Sequence, residues 1–199
     1  MIQPTQATKT SIEGLWKLDL KVIPDERGSV IEFYRHSEFE ALGLPTLGER
    51  PQVNAPFSVR GAVRGIHAEY AHKYVAVANG TVFAAIVDLR QDSLTFGEHE
   101  SFTLNKGQGL FVSKGLGNSF QSISTEPSTY LYYFENEWQP NMPGIACNPL
   151  DPDLAIDWPI KENEGMILSE KDRSNPSIAD IQNSYSAAQA SKDASYDEK

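Results

Sequence analysis

The chain has 199 residues, enough for one domain with a sizeable core. Seventeen Lys and Arg against 27 Asp and Glu give a net charge of −10, which argues against general nucleic-acid binding. A locally basic pocket for an anionic small molecule stays compatible with that acidic shell. No apolar run approaches 18 residues, so nothing in the sequence reads as a membrane span. Residues 1–13 are polar and lack the apolar segment of a signal peptide, and the chain reads as cytoplasmic. A single cysteine, Cys147, excludes an internal disulfide framework.

Residues 16–23 alternate, with Leu18, Leu20 and Val22 on one side and Lys17, Asp19 and Lys21 on the other, as in a half-buried strand. Residues 24–28 carry turn chemistry, and an extended pattern resumes over 29–35. Residues 37–42 predict a short helix with Ser37 as N-cap and Glu40 at the capping-box position. Residues 43–51 read as loop, and 52–58 as a strand interrupted by Pro56.

The stretch around Arg64, His67 and Lys73 leads into the β-rich sequence of Val75, Val77, Val82, Ile86 and Val87. Asn79-Gly80 within it predicts a hairpin turn. Arg, His and Lys carried toward an apolar interior need carboxylate partners or a cavity that holds an anion, because unpaired buried charge is costly. Further strands are expected over 98–104, 109–113, 120–124 and 128–134, with a glycine-rich corner at 114–118. Short strands with turns every eight to twelve residues point to an antiparallel sandwich or barrel. One or two helical turns are expected near 179–181. Residues 183–199 have no apolar period and read as a polar, disordered tail behind a single domain at 1–182.

Three kinds of site compete. A metal site would draw on His67, Glu69 and His72, but position 72 points away from the strand face shared by 67 and 69. Gly107 to Gly117 lacks the helix and Lys-Ser/Thr pair of a phosphate loop, leaving its glycines as barrel corners. A proton-transfer site would use His67 as base, Lys73 to stabilise developing negative charge, Tyr132 as a second proton carrier, and one of the carboxylates in 169–173 to orient the histidine. From spacing alone the structural reading leads, because a histidine in a β-core is more often a hydrogen-bonded structural residue than a catalytic one.

Several stretches taken together carry a resemblance. They are Asp25-Glu26-Arg27-Gly28-Ser29-Val30-Ile31-Glu32, Gln52-Val53-Asn54, Val63-Arg64-Gly65-Ile66-His67, and Val87-Asp88-Leu89-Arg90 with Thr95-Phe96-Gly97. The closing block is Asp151-Pro152-Asp153-Leu154-Ala155-Ile156-Asp157-Trp158-Pro159 followed by Leu168-Ser169-Glu170-Lys171-Asp172. In this order, over about residues 16–176, they resemble the dTDP-4-dehydrorhamnose 3,5-epimerase family. Gly117-Asn118-Ser119-Phe120-Gln121 is similar to a subgroup in which asparagine stands where most relatives have histidine.

The resemblance implies an all-β, cupin-like jelly-roll barrel with a few short helices, a homodimer, and no metal or redox cofactor. It implies a dTDP-linked 4-keto sugar as substrate. As catalytic residues it implies His67 as general base, Asp172 as its orienting carboxylate, Lys73 at the enolate oxygen and Tyr132 delivering a proton on the opposite face. It implies substrate contacts at Arg27, Glu32, Gln52, Asn54, Arg64 and Asn118, with Arg27 and Glu32 reaching across the dimer. Val30 stands where relatives carry phenylalanine near the thymine, and Glu137-Trp138 replaces tyrosines that follow the catalytic strand, so nucleotide selectivity is where departure is expected. The expected reaction is inversion at C3 and C5 of dTDP-4-keto-6-deoxyglucose. The alternatives are inversion at one carbon only, another nucleotide-linked 4-keto sugar, or a non-catalytic sugar-nucleotide-binding homologue.

Overall fold

The computed structural model describes residues 2–197. The larger sheet contains β1 (Gln6–Lys9), β2 (Leu15–Asp19), β11 (Gln108–Val112), β8 (Lys73–Asn79), β13 (Ser128–Phe134) and β5 (Gln52–Asn54) in that order, and β6 (Phe57–Ser58) also pairs with β13. The second sheet has the order β10 (His99–Asn105), β9 (Thr81–Asp88), β12 (Leu116–Ser122), β7 (Val63–Glu69) and β14 (Gly144–Ala146). A separate hairpin joins β3 (Val22–Asp25) to β4 (Gly28–Ile31). The pairings between these strands are antiparallel, and consecutive strands from β7 to β13 repeatedly switch sheets, giving a jelly roll.

This switching corrects the hairpin expected at Asn79-Gly80. β8 pairs with β11 and β13, whereas β9 pairs with β10 and β12, so Asn79-Gly80 is a corner between sheets. Gly80 suits it, because its φ is +79° and a Cβ would lie 2.6 Å from Ser128 Oγ. The signal for a tight turn is local, while the choice of strand partner is not. The glycine-rich corner at 114–118 is also shorter than expected, since Leu116, Gly117 and Asn118 already belong to β12.

The space between the sheets holds Val75, Val77, Val82, Ala84, Ile86, Leu104, Leu110, Val112, Leu116 and Phe120. The outer face of the larger sheet is buried too. Tyr74, Ala76 and Phe111 pack there against Leu18, Phe39 and Leu44. Alternate residues of β8 thus enter two different cores, which is why its sequence is almost continuously apolar.

Phe39 belongs to α1 (His36–Ala41), which is too short to be stable alone. Its ring meets Tyr34 and Tyr74 edge-on at 4.8 and 5.1 Å. Burying such a side chain is worth about 1.5–3 kcal/mol. The cap differs from the expected one: Arg35 occupies the N-cap and makes no side-chain cap bond, so helix position follows Phe39 packing rather than Ser37.

Residues 147–185 cover the outer face of the second sheet, where Leu154 and Ile181 pack on Ile66, Ala68, Val87 and Leu89. Two α-helices follow in this part of the chain: α2 (Glu170–Arg173), and α3 (Ile178–Asp197), whose Ile178, Ile181 and Tyr185 join that outer-face packing. The helical turns expected near 179–181 therefore continue through the segment from 183, which was expected to be disordered. Ser177 and Asp180 bond reciprocally at the start of α3, with Ser177 Oγ donating to Asp180 Oδ2 at 2.6 Å. Tyr185, two turns in, donates its hydroxyl to the Leu89 carbonyl at 2.7 Å and packs edge-on against Phe96. Residues 198 and 199 of that expected tail lie outside the described residues.

Candidate active site

The sheets part at one end of the barrel around a cavity of about 560 Å³. Arg64, His67 and Glu69 enter it from β7, Lys73 from β8, Asn118 from β12 and Tyr132 from β13. Gln52 and Asn54 of β5, Trp138 and Asp172 of α2 complete its polar rim. Its walls therefore come from both sheets.

Strict alternation would put Arg64 and His67 on opposite faces of β7. A bulge brings them together. His67 pairs with Asn118 and Arg64 with Phe120, so β7 takes three steps where β12 takes two. Gly65 makes this close approach feasible, with φ at +123° and Ser119 Cβ only 2.5 Å from where its own Cβ would be.

His67 is held by Asp172, with Nε2 2.8 Å from Oδ1. A carboxylate only accepts, so the imidazole donates through Nε2–H and its neutral form keeps the Nδ1 lone pair for another partner. The imidazole is 42% exposed, whereas the Asp172 side chain is 9% exposed. Asp172 is itself fixed because its N–H donates to Ser169 Oγ at 3.1 Å, capping α2.

Lys73 is 3% exposed. Its Nζ donates to the His67 carbonyl at 2.8 Å and forms an ion pair with Glu69. Burial pulls this ammonium below the ordinary lysine range, and the Glu69 carboxylate opposes that pull. Tyr132 sits against Phe134 with ring centroids 5.6 Å apart. Burial raises its phenol, Arg64 lowers it and Glu69 raises it, with a net upward shift. The hydroxyl thus keeps its proton at neutral pH.

The remaining polar groups form supports. Tyr130 hydroxyl donates to Asn118 Oδ1 at 3.2 Å. Gln52 Nε2 donates to Asn54 Oδ1 at 3.1 Å, and Trp138 N–H donates to Gln52 Oε1 at 2.8 Å. Arg64 Nε donates to Ser58 Oγ at 3.0 Å, which leaves the outer edge of its guanidinium toward the cavity.

Eight of the ten residues singled out in the sequence line this cavity. Arg27 and Glu32 do not. Arg27, at the β3–β4 turn, is 82% exposed and pairs with Asp25 at 2.6 Å. Glu32 bonds Arg35 at 2.5 Å and Lys21 at 3.2 Å, and the Arg35 hydrogen bond is the main reason its carboxyl is lowered to about 2. The sequence offers Glu69 only as a metal-ligand candidate, yet its spacing from His67 puts it on the same strand face. Among the described residues, no group of three or more His, Cys, Asp or Glu is arranged to hold a metal ion.

A model of the family described as dTDP-4-dehydrorhamnose 3,5-epimerase matches residues 9–180. The chain belongs to that family. The dTDP-4-dehydrorhamnose 3,5-epimerase of Mycobacterium tuberculosis is 32% identical over 182 residues, covering 88% of this chain and 89% of the relative. A dTDP-4-dehydrorhamnose 3-epimerase of Streptomyces niveus is 35% identical over 173 residues, covering 80% and 82%. Among solved structures, NovW, a 4-keto-6-deoxy sugar epimerase from the novobiocin cluster of Streptomyces spheroides, matches with a TM-score of 0.82 and 32% identity over 92% of each chain. Membership of the epimerase family and the jelly-roll fold thus agree with each other.

Proposed function

We propose that this chain inverts C3 and C5 of dTDP-4-keto-6-deoxyglucose by removing and returning the protons beside the C4 ketone. The observation that carries this reading is the placement of His67 and Tyr132 on opposite sheets, facing one cavity. Inversion needs a base on one side of the ring and an acid on the other. The named activity of the Mycobacterium tuberculosis relative supports the substrate class.

The ketone acidifies the neighbouring C–H bonds, yet leaves them far too weakly acidic for histidine alone. His67 takes the proton through Nδ1, and Asp172 stabilises the imidazolium that forms. The C–H electron pair moves into an enolate whose negative charge falls on the C4 oxygen. Lys73 meets that charge with its remaining N–H. Buried, preorganised donors of this kind are worth about 2.7–4 kcal/mol each in the transition state. Tyr132 then protonates the carbon from the other side, and solvent resets both groups. The ketone is the electron sink, so no electron passes through a cofactor. Arg64 faces the diphosphate, while Gln52, Asn54 and Asn118 hold sugar and nucleotide.

The working unit is a homodimer in which Arg27 and Glu32 complete the neighbour's site. Three features support this. The β3–β4 hairpin pairs with neither main sheet, and Val30 on it is exposed. β5 ends the larger sheet with Val53 exposed, leaving an edge open to another strand. A two-fold axis would make such an exchange reciprocal.

Incubation with dTDP-4-keto-6-deoxyglucose in D₂O, followed by NMR, tests the reaction. Deuterium at both C3 and C5 with both centres inverted is the expected result. Deuterium and inversion at C3 alone would establish the second reading, which the Streptomyces niveus 3-epimerase favours. No exchange at either carbon would refute both.

A further inference from the structure

Glu69 lines the cavity but has no part in the proton transfers just described. It ends β7, and Lys73 begins β8, so the pair spans the crossing from one sheet to the other. The Lys73 ammonium has three donors. One reaches Glu69 and one reaches the His67 carbonyl, which leaves one for the cavity. Two fixed acceptors determine where the third N–H points. With a neutral side chain at position 69, a lysine this deeply buried would be driven toward its uncharged form.

We propose that Glu69 is a positioning residue of the epimerase reaction: its carboxylate keeps Lys73 charged and aims its free N–H at the ketone oxygen. This rests on the proposed function for the identity of that oxygen. The geometry of the pair stands without it.

Other charges around Lys73 do not substitute for Glu69. β7 also presents Arg64 and His67 to the cavity, α2 presents Asp172, and β13 presents Tyr132. Asp172 is engaged by His67 at 2.8 Å. Glu135, just after β13, accepts the His72 N–H at 3.1 Å. Glu69 is the carboxylate bonded to Lys73, and its charge also raises the Tyr132 phenol. One side chain therefore supports both the cation and the proton donor.

The test is Glu69→Gln in the full chain, which keeps an oxygen acceptor and removes the charge. The first readout needs no substrate: an NMR pH titration of the Lys73 side chain in ¹³C-lysine protein, assigned with Lys73→Arg. Without the carboxylate, Lys73 loses its proton at lower pH, and the expected fall in midpoint is at least one pH unit. The second readout is kcat across pH. Each unit by which the midpoint falls removes about tenfold of charged Lys73 above both midpoints, so the loss in kcat grows with pH while KM changes little. A purely structural role would lower kcat equally at all pH values. An unmoved Lys73 midpoint, or a pH-independent loss, would overturn the proposal. If Glu69→Gln does not fold, Glu69→Asp keeps the charge on a shorter arm and tests the aim: a fall in kcat with the Lys73 midpoint little changed is the expected result, and a wild-type kcat there would overturn the proposal. A wild-type protein inactive on the sugar would sink the proposed function, and the titration would still decide on Glu69.

Discussion

Replacing Asp172 by asparagine isolates the value of its charge to catalysis. The side chain keeps its size and its place on α2, where the backbone N–H is fixed by Ser169. What changes is the partner of His67 Nε2 at 2.8 Å. In the wild type an acceptor-only carboxylate faces an imidazole that, in the proposed reaction, gains a proton. An amide offers either a weaker oxygen acceptor or an N–H donor, and the donor would require the tautomer with its lone pair at Nε2. A hydrogen bond to a charged group is worth about 1.5–3 kcal/mol. Asp172 is shielded from water, so the full range applies rather than the smaller value of a surface pair. At 1.36 kcal/mol per tenfold, kcat falls roughly 10- to 150-fold. KM changes much less, because the loss arises as the imidazolium forms. His67→Ala removes the base itself and costs more. The assay follows loss of the C3 and C5 proton signals in D₂O under saturating substrate. A kcat within about twofold of wild type for Asp172→Asn would refute the orienting role.

Three further outcomes are expected. Burial pushes the Asp88 carboxyl up, but hydrogen bonds from Arg90, Ser93 and Thr95 outweigh it and hold the group at about 2. Relative to an ordinary value near 3.9 this is on the order of 2 kcal/mol of stability, complete above about pH 4 and lost as pH falls through about 2; in urea melts, Asp88→Ala lowers neutral stability and flattens the dependence between those limits. Gly65→Ala drives a Cβ to within 2.5 Å of Ser119 Cβ at a φ of +123°, so the melting temperature drops and the site loses activity together, and a melt matching wild type would contradict the close packing at the bulge. Mixing His67→Ala with Arg27→Ala protein restores part of the activity through mixed dimers holding one intact site, whereas mixing without restoration contradicts site sharing.

The strands were legible where one face is polar, as in β10, and in β13 through its run of aromatic residues. Sheet membership was not. β8 is buried on both faces, so its alternation is invisible and the Asn79-Gly80 turn looked like a hairpin. The cavity residues of β7 were legible as residue types, but the bulge that aligns Arg64 with His67 depends on β12, which follows much later in the chain. Asp172 lies 105 residues beyond His67; residue types alone offer the carboxylates of 169–173 as its partner, and the family resemblance selects Asp172 among them. The start of α3 was legible at 179–181 but its length was not, because its contacts come from Ile178, Ile181 and Tyr185 near that start and the later sequence has no apolar stripe. The Ser177–Asp180 cap is the local signal for that start.

In the proposed reaction His67 removes the proton and Tyr132 returns it from the opposite wall. This assignment is tested most directly by following isotope exchange and stereochemistry together, in D₂O, for His67→Ala and Tyr132→Phe. For His67→Ala, no deuterium enters at C3 or C5 on the timescale of wild-type turnover. For Tyr132→Phe, deuterium enters but the starting configuration is kept, because the base returns the isotope to the face it came from. Inverted, deuterated product from Tyr132→Phe at the wild-type rate would contradict the claim, as would rapid exchange by His67→Ala.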